Sequence, residues 1–230
     1  GHPIGNHTYD HVYLLAKNSD ELQFRFQRAP WLIRGRNVAD VIRDNIALTN
    51  IALKERIGVE ANGFRTPGGF ATGLHGREDL QQLLLSLGFN WISCTYPAHA
   101  GIVDLHGSTD PPSQEANDNI VSAQPAAQPF AYPTGLIDIP MSPISDIGAF
   151  RNGRWQLEYF LKAINLALDW VISKRAVFDF LAHPSCLGIV DPDFRALDLI
   201  CDVVDRAQGT AEIVTLDQVA ATFNAGRTSR

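Results

Sequence analysis

Apolar positions recur at helical spacing in several stretches of this chain, and short continuous apolar runs fall between them. From Asn37 to Ile57, the residues Val38, Val41, Ile42, Ile46, Thr49, Ala52, Leu53 and Ile57 share one face, and Gly58 ends the run, which predicts a helix. Val59–Phe64 predicts a short strand that ends on Arg65-Thr66-Pro67-Gly68-Gly69, a segment too rich in turn formers to continue a ladder. Glu78–Leu87 predicts a second helix closed by Gly88, and Phe89–Thr95 the next strand. Further strands are expected at Leu136–Ile139, at Val177–Ala182, which only Asp179 interrupts, and at Ala211–Val214. Helices are expected at Asp193–Gln208 and Leu216–Phe223. Strands alternating with helices imply an α/β fold with a mainly parallel sheet.

Two stretches depart from this rhythm. Between Tyr96 and Pro133 periodicity disappears while Pro, Ala, Ser, Asp and Gln accumulate, which predicts a loop far longer than ordinary connections, of the kind used as lids or binding loops. The helix expected over Trp155–Ser173 buries Leu157, Phe160, Leu161, Ile164, Leu168 and Val171 on one face, yet Tyr159, Leu166 and Trp170 form a second apolar stripe. The long loop, a second subunit or chain upstream of Gly1 would cover it, so a homo-oligomer is one expectation.

Composition narrows the class. The chain has 230 residues, 45% of them hydrophobic and 19% charged, which suits one domain over 1–225 with a short tail at 226–230. No run of about 18 apolar residues exists to span a bilayer. A net charge of −6 with scattered Lys and Arg argues against nucleic acid as the main partner. Cys94, Cys186 and Cys201 lack C-x-x-C spacing, which excludes a thiolate zinc site and a disulfide framework. The compartment is not legible.

Chemistry enters through three segments. His7 and His11 are four apart, and on a helical turn that spacing stacks two imidazoles where they can share one metal ion. Arg65 follows one predicted strand and His183 another, and in a barrel of parallel strands the C-terminal ends form one rim where catalytic residues collect. Alone, a histidine pair four apart is more often a solvated turn, and Arg65 a surface arginine. Three such segments converging on one predicted rim argue for a site. His75, His99 and His106 fall in loops and are expected to be solvated, and nothing in the spacing of Asp104, Asp110, Asp138, Asp146 or Asp179 selects one as a ligand. Trp91, Tyr96, Tyr132 and Trp155 are candidate sugar-stacking aromatics with core packing as the commoner alternative.

The same residues carry a family resemblance. Gly1-His2-Pro3-Ile4-Gly5-Asn6-His7-Thr8-Tyr9-Asp10-His11 resembles the H-[ST]-x-x-H metal motif of the polysaccharide deacetylases, carbohydrate esterase family four. Phe64-Arg65-Thr66-Pro67-Gly68-Gly69 resembles their R-x-P motif, and Leu181-Ala182-His183-Pro184 their L-x-H motif, in the family's order. The resemblance implies a distorted β/α barrel of mainly parallel strands (NodB-like) and a divalent metal, usually zinc, held by His7, His11 and an Asp. It makes His183 and Arg65 the catalytic pair and Pro67, Gly68, Trp91 and Tyr96 the substrate-binding candidates.

Two departures qualify it. The family's T-F-D-D motif, which supplies the third ligand and the catalytic base, does not occur before His7, so an N-terminally incomplete and inactive or nearly inactive chain is expected. The segment matching the family's D-x-x-D-W, Asn90–Pro97, contains no Asp, which leaves the partner of His183 unassigned.

The implied chemistry is coherent. Zinc lowers the pKa of a bound water towards 7, the water attacks an N-acetyl carbonyl, and His183 protonates the departing amine while Arg65 orients the base. An acetylated polysaccharide such as peptidoglycan or chitin is the expected substrate, with N-acetyl ahead of O-acetyl groups. An allantoinase-like amidohydrolase acting on a small cyclic amide and a non-catalytic metal- or glycan-binding protein are the alternatives.

Overall fold

The structure, a computed structural model, describes residues 2–228; Gly1 of the expected metal motif and residues 229–230 of the expected tail lie outside them. The chain is a mixed α/β protein that separates into two compact units, one formed by the residues up to Cys94 with Phe130–Ile139 and the chain from Thr215, the other by Thr95–Pro129 and Pro140–Val214.

The first unit opens with the short helices α1 (Ser19–Leu22) and α2 (Phe24–Arg28) and a 3-10 turn at Pro30–Ile33. Helix α3 (Val38–Ile57) follows over the expected range; it buries Val41, Ile42 and Ile46 of its apolar stripe, while Ile57 is exposed. Asn37 caps it by accepting from the Asp40 N–H, and Gly58 ends it in the left-handed region at φ 68°, where a residue without Cβ carries no steric penalty. After strand β1 (Gly63–Phe70) come helix α4 (Glu78–Ser86) and strand β2 (Trp91–Thr95). With β3 (Phe130–Ala131) and β4 (Ile137–Asp138), these strands form a four-stranded sheet in the order β1-β2-β4-β3. β2 pairs parallel with β4, and β3 antiparallel with β4.

Its core gathers Val12, Leu14, Phe26, Ile42, Ile46, Phe64, Leu74, Leu84, Phe89 and Ile92. Each such side chain, fully buried, contributes about 1.5 to 3 kcal/mol. Gly63 is required by this packing: a Cβ there would fall 1.9 Å from the Trp91 indole.

The second unit holds helix α5 (Gln114–Ser122), a 3-10 turn at Gln124–Ala127, a π-helical turn at Ile147–Asn152, and helices α6 (Leu157–Lys174), α7 (Pro184–Val190) and α8 (Arg195–Arg206). Its core joins Ile120, Ile144, Trp155, Phe160, Ile164, Leu168, Leu187 and Val203. Helix α9 (Leu216–Thr228) belongs to the first unit and includes 226–228 of the expected tail.

Several sequence expectations give way. β1 runs through the Arg65–Gly69 segment because Pro67 needs no donor where it sits, while Gly68 takes φ 75° and absorbs the local distortion. The region 96–133 is not one long loop: α5 forms within it, Ser113 capping it through a bond from the Ala116 N–H. Its Asn- and Asp-rich sequence concealed the buried face of Ala116 and Ile120. No strand forms over 177–182 beyond a single parallel bridge from Leu181 to Ser145, and none over 211–214. An apolar run dictates burial, and a ladder also needs a neighbouring edge.

The second stripe of α6 is partly covered within its own unit. α5 packs against it, and the Tyr159 hydroxyl donates to the Thr109 carbonyl. Leu166 and Trp170 stay half-buried at the floor of a cavity of about 500 Å³ between these helices.

Candidate active site

In the first unit, the chemistry lies just after Asn6, which bridges in parallel to Phe64 of β1. Buried Asn6 anchors the turn: its amide donates to the Ile46 carbonyl at 2.9 Å and its Oδ1 accepts the Thr8 N–H at 2.8 Å. The following chain is not helical, contrary to the stacking expected from the four-residue spacing. Thr8 and His11 adopt φ 60° and 58°, and these left-handed residues fold the segment back so that the His7 and His11 ring centroids lie 4.9 Å apart at 75°. The imidazoles meet by a loop, at a conformational cost that the Asn6, Asn45 and Thr8 side-chain bonds offset. Asn45 Oδ1 accepts the Asp10 N–H at 2.7 Å, and Thr8 Oγ1 accepts the Val12 N–H at 3.0 Å.

His7 Nδ1 lies 2.8 Å from the Arg65 carbonyl oxygen. A carbonyl only accepts, so Nδ1 carries the proton and the lone pair of the neutral ring sits on Nε2, the state a metal ligand needs. Arg65 is partly buried in β1, and its N–H donates to the Asn6 carbonyl at 2.9 Å. Its main chain therefore holds the His7 loop. Pro67 is buried and Gly68 exposed, with the Thr66 hydroxyl donating to the Gly68 carbonyl at 2.6 Å. The pair His7/His11 fits a divalent ion as two ligands. Among the described residues no group of three or more His, Cys, Asp or Glu side chains is placed to hold one, so the donor set stops short of a closed site.

In the second unit, the central group is one that the sequence did not select. Asp146, with 0% exposure, accepts from His183 Nδ1 at 2.8 Å, from the His183 N–H at 2.7 Å and from the Ile147 N–H at 2.8 Å. Three donors on one buried carboxylate orient it and, through it, the imidazole ring. His183 is left as the Nδ1–H tautomer with its side chain 41% exposed. It is the partner of His183 that the Asn90–Pro97 segment failed to provide. Asp146 stands immediately before the π-helical turn, a geometry that widens the backbone where side chains must be re-aimed.

The chain around the dyad is built by parallel adjacency of 142–146 with 179–183: the Ser142 N–H donates to the Asp179 carbonyl at 3.0 Å, and Ser145 bridges Leu181. Cys186 lies buried under the same turn, where burial pushes its thiol up.

The aromatic candidates sort by burial. Trp91 is 8% exposed and donates its indole N–H to Asp217 at 2.7 Å; Trp155 donates to the Val103 carbonyl at 2.9 Å. Tyr132 donates to Asp138 Oδ2 at 2.7 Å and accepts the Leu74 N–H, and burial raises its phenol. These three are core residues with their polar atoms satisfied, which corrects the expectation of Trp91 as a substrate platform. Tyr96 is partly buried, its hydroxyl 3.5 Å from Ser145 Oγ and its phenol raised by burial, so it stays beside the Asp146 segment.

His99 is not a solvated loop histidine either. Burial lowers its pKa, and its Nδ1 accepts the Gly101 N–H at 3.1 Å, so the ring is neutral with its proton on Nε2.

The fold defines a class. A solved structure from Mycobacterium smegmatis assigned to the polysaccharide deacetylases superposes with a TM-score of 0.63 at 17% identity, over 99% of this chain and 64% of that one. A second, from Pseudomonas aeruginosa PAO1 and assigned likewise, gives 0.57 at 15% identity over 96% and 59%. The chain thus shares the α/β fold of solved polysaccharide deacetylases and spans about three fifths of their length. No family model matches the sequence, and no curated protein matches it.

Proposed function

We propose that this chain is a hydrolase of the deacetylase type, removing N-acetyl, and secondarily O-acetyl, groups from an acetylated polysaccharide such as peptidoglycan or chitin. The observation that carries the reading is the His183–Asp146 dyad. Amide hydrolysis is limited by a poor leaving group, and the amine departs readily only when a positioned acid protonates it. His183, held as the Nδ1–H tautomer, takes up a proton at Nε2, and the Asp146 carboxylate stabilises the resulting imidazolium. Once water has added to the acetyl carbon, the proton passes from Nε2 to the amine nitrogen as the C–N bond breaks, giving acetate and the free amine. Asp146 itself only positions and stabilises.

Likeness of fold to the two deacetylase structures, and the order of the segments around His7, Arg65 and His183, support the same reading. The distorted barrel belongs to this proposal, as does a divalent metal at His7 and His11, for which the imidazole donors favour zinc. In this reading Arg65, Pro67, Gly68 and Tyr96 keep the roles that the resemblance implies for them.

The test is acetate release from chitin oligomers and peptidoglycan by the purified full-length protein with zinc supplied; the chain of 230 residues, which lacks the T-F-D-D motif before His7, should release little or none by itself. Release that disappears in His183→Ala supports the proposal. Absence of release from both polymers defeats it, and ring opening of a small cyclic amide under the same conditions would transfer the dyad to an amidohydrolase.

A further inference from the structure

We propose that the corner from Phe24 to Arg36 is a docking ledge for a carboxylate-bearing polysaccharide; this rests on the deacetylase reading and names the class of glycan. The corner exposes large apolar side chains among the described residues: Phe24 is 60% exposed, Trp31 69% and Leu32 44%. By contrast, Trp91 and Trp155 are packed in cores. An indole and a phenyl ring so exposed within one short stretch, on α2 and the turn at Pro30–Ile33, form an apolar surface open to a ligand.

The same thirteen residues carry Arg25, Arg28, Arg34 and Arg36 in a chain whose net charge is −6. Arg25 is taken by Asp10 and Arg36 by Asp44. Arg28 lies over the Phe24 ring, 5.5 Å from its centroid, and among the described residues neither it nor Arg34 pairs with a carboxylate. The surface therefore offers two guanidiniums and two aromatic faces. A guanidinium fork holds a carboxylate by two parallel bonds, and an exposed aromatic ring stacks on the apolar face of a pyranose. A sugar polymer bearing carboxylates supplies both partners at once.

Other occupants fit less well. A membrane would need a continuous apolar helical face, and helices of 5 and 4 residues present none. Nucleic acid would need many more unpaired cations than two. The Arg25–Asp10 ion pair fastens the corner to the His7–His11 segment, so a polymer lying on it would run past the histidine pair.

The experiment is calorimetric titration of the whole protein with an oligogalacturonate and with its carboxyl-reduced form, at low and high salt. We expect the reduced form to bind about tenfold more weakly, each exposed ion pair being worth up to a factor of about five. Arg28→Gln with Arg34→Gln should abolish that preference, and Trp31→Ala should weaken both ligands about fivefold. These side chains are exposed, so thermal melting of the variants should match the parent.

Equal binding of the two forms, or binding indifferent to these substitutions, overturns the ledge. So does capture by phosphatidylglycerol vesicles with neither glycan bound. Acetate release is read separately: carboxylate-selective binding without any release defeats the deacetylase reading alone, and release without carboxylate preference defeats the ledge alone.

Discussion

His7 and His11 stand on backbone that turns through the left-handed region and leave both rings exposed, whereas His183 is tied to a carboxylate with 0% exposure. The first pair is held from behind, by the Arg65 carbonyl and by Asn6 and Asn45, and among the described residues no carboxylate fixes the ring of His11 as Asp146 fixes that of His183. One arrangement suits ligands that await an ion. The other suits a proton carrier whose orientation must not change during the reaction. The difference shows how one residue type serves two tasks: the partner of Nδ1, a carbonyl or a carboxylate, decides whether Nε2 is only a donor atom or a base whose protonated form is stabilised.

This contrast can be broken most forcefully at Asp146. Replacing it with Ala leaves the part-buried His183 and Ile147 N–H groups without their acceptor, and we expect about 1 to 3 kcal/mol of lost stability in urea unfolding. His7→Ala should cost well under 1 kcal/mol, its ring being exposed, and should instead lower zinc uptake in equilibrium dialysis. An equal loss of stability in both variants would erase the distinction.

A second comparison sets a closely packed glycine of the first unit against an open one of the second. Gly63→Ala forces a Cβ into the Trp91 ring and should cost about 1 to 3 kcal/mol, while Gly188→Ala, with nothing within 4 Å and a helical position in α7, should raise stability by up to about 1 kcal/mol.

The smallest effect concerns pH. His99 has its pKa lowered by burial, so the unfolded chain binds a proton there before the folded one does. As pH falls below about 6.5, the unfolded value, His99 subtracts stability. His99→Gln should therefore flatten the loss of stability between neutral and mildly acidic pH, and an unchanged profile would contradict the burial of that ring.

What the sequence made legible follows the range of the physics involved. Helix α3 was readable because its apolar stripe, Asn37 cap and Gly58 terminator are all local. The His7/His11 pair was readable as a pair, but its backbone was not, since two left-handed residues held by Asn6 and Asn45 mimic a helical approach without a helix. Asp146 was hidden because 37 residues separate it from His183 and only the parallel course of 142–146 along 179–183 brings them together. Trp91 looked like a sugar platform because composition reports an aromatic ring without reporting that Gly63 leaves room for it in the core. Helix α5 was missed because burial of Ala116 and Ile120 depends on α6, a tertiary fact absent from its polar sequence.

The most direct measurement is the rate of acetate release by Asp146→Asn in the full-length protein at equal folded fraction, with His183 unchanged. An asparagine keeps the size of the side chain but presents an amide that cannot stabilise an imidazolium, so the account predicts a fall on the order of 10² to 10⁴. Release within about threefold of the parent, well inside what general acid catalysis contributes, would contradict the assignment of the His183–Asp146 dyad as the proton carrier.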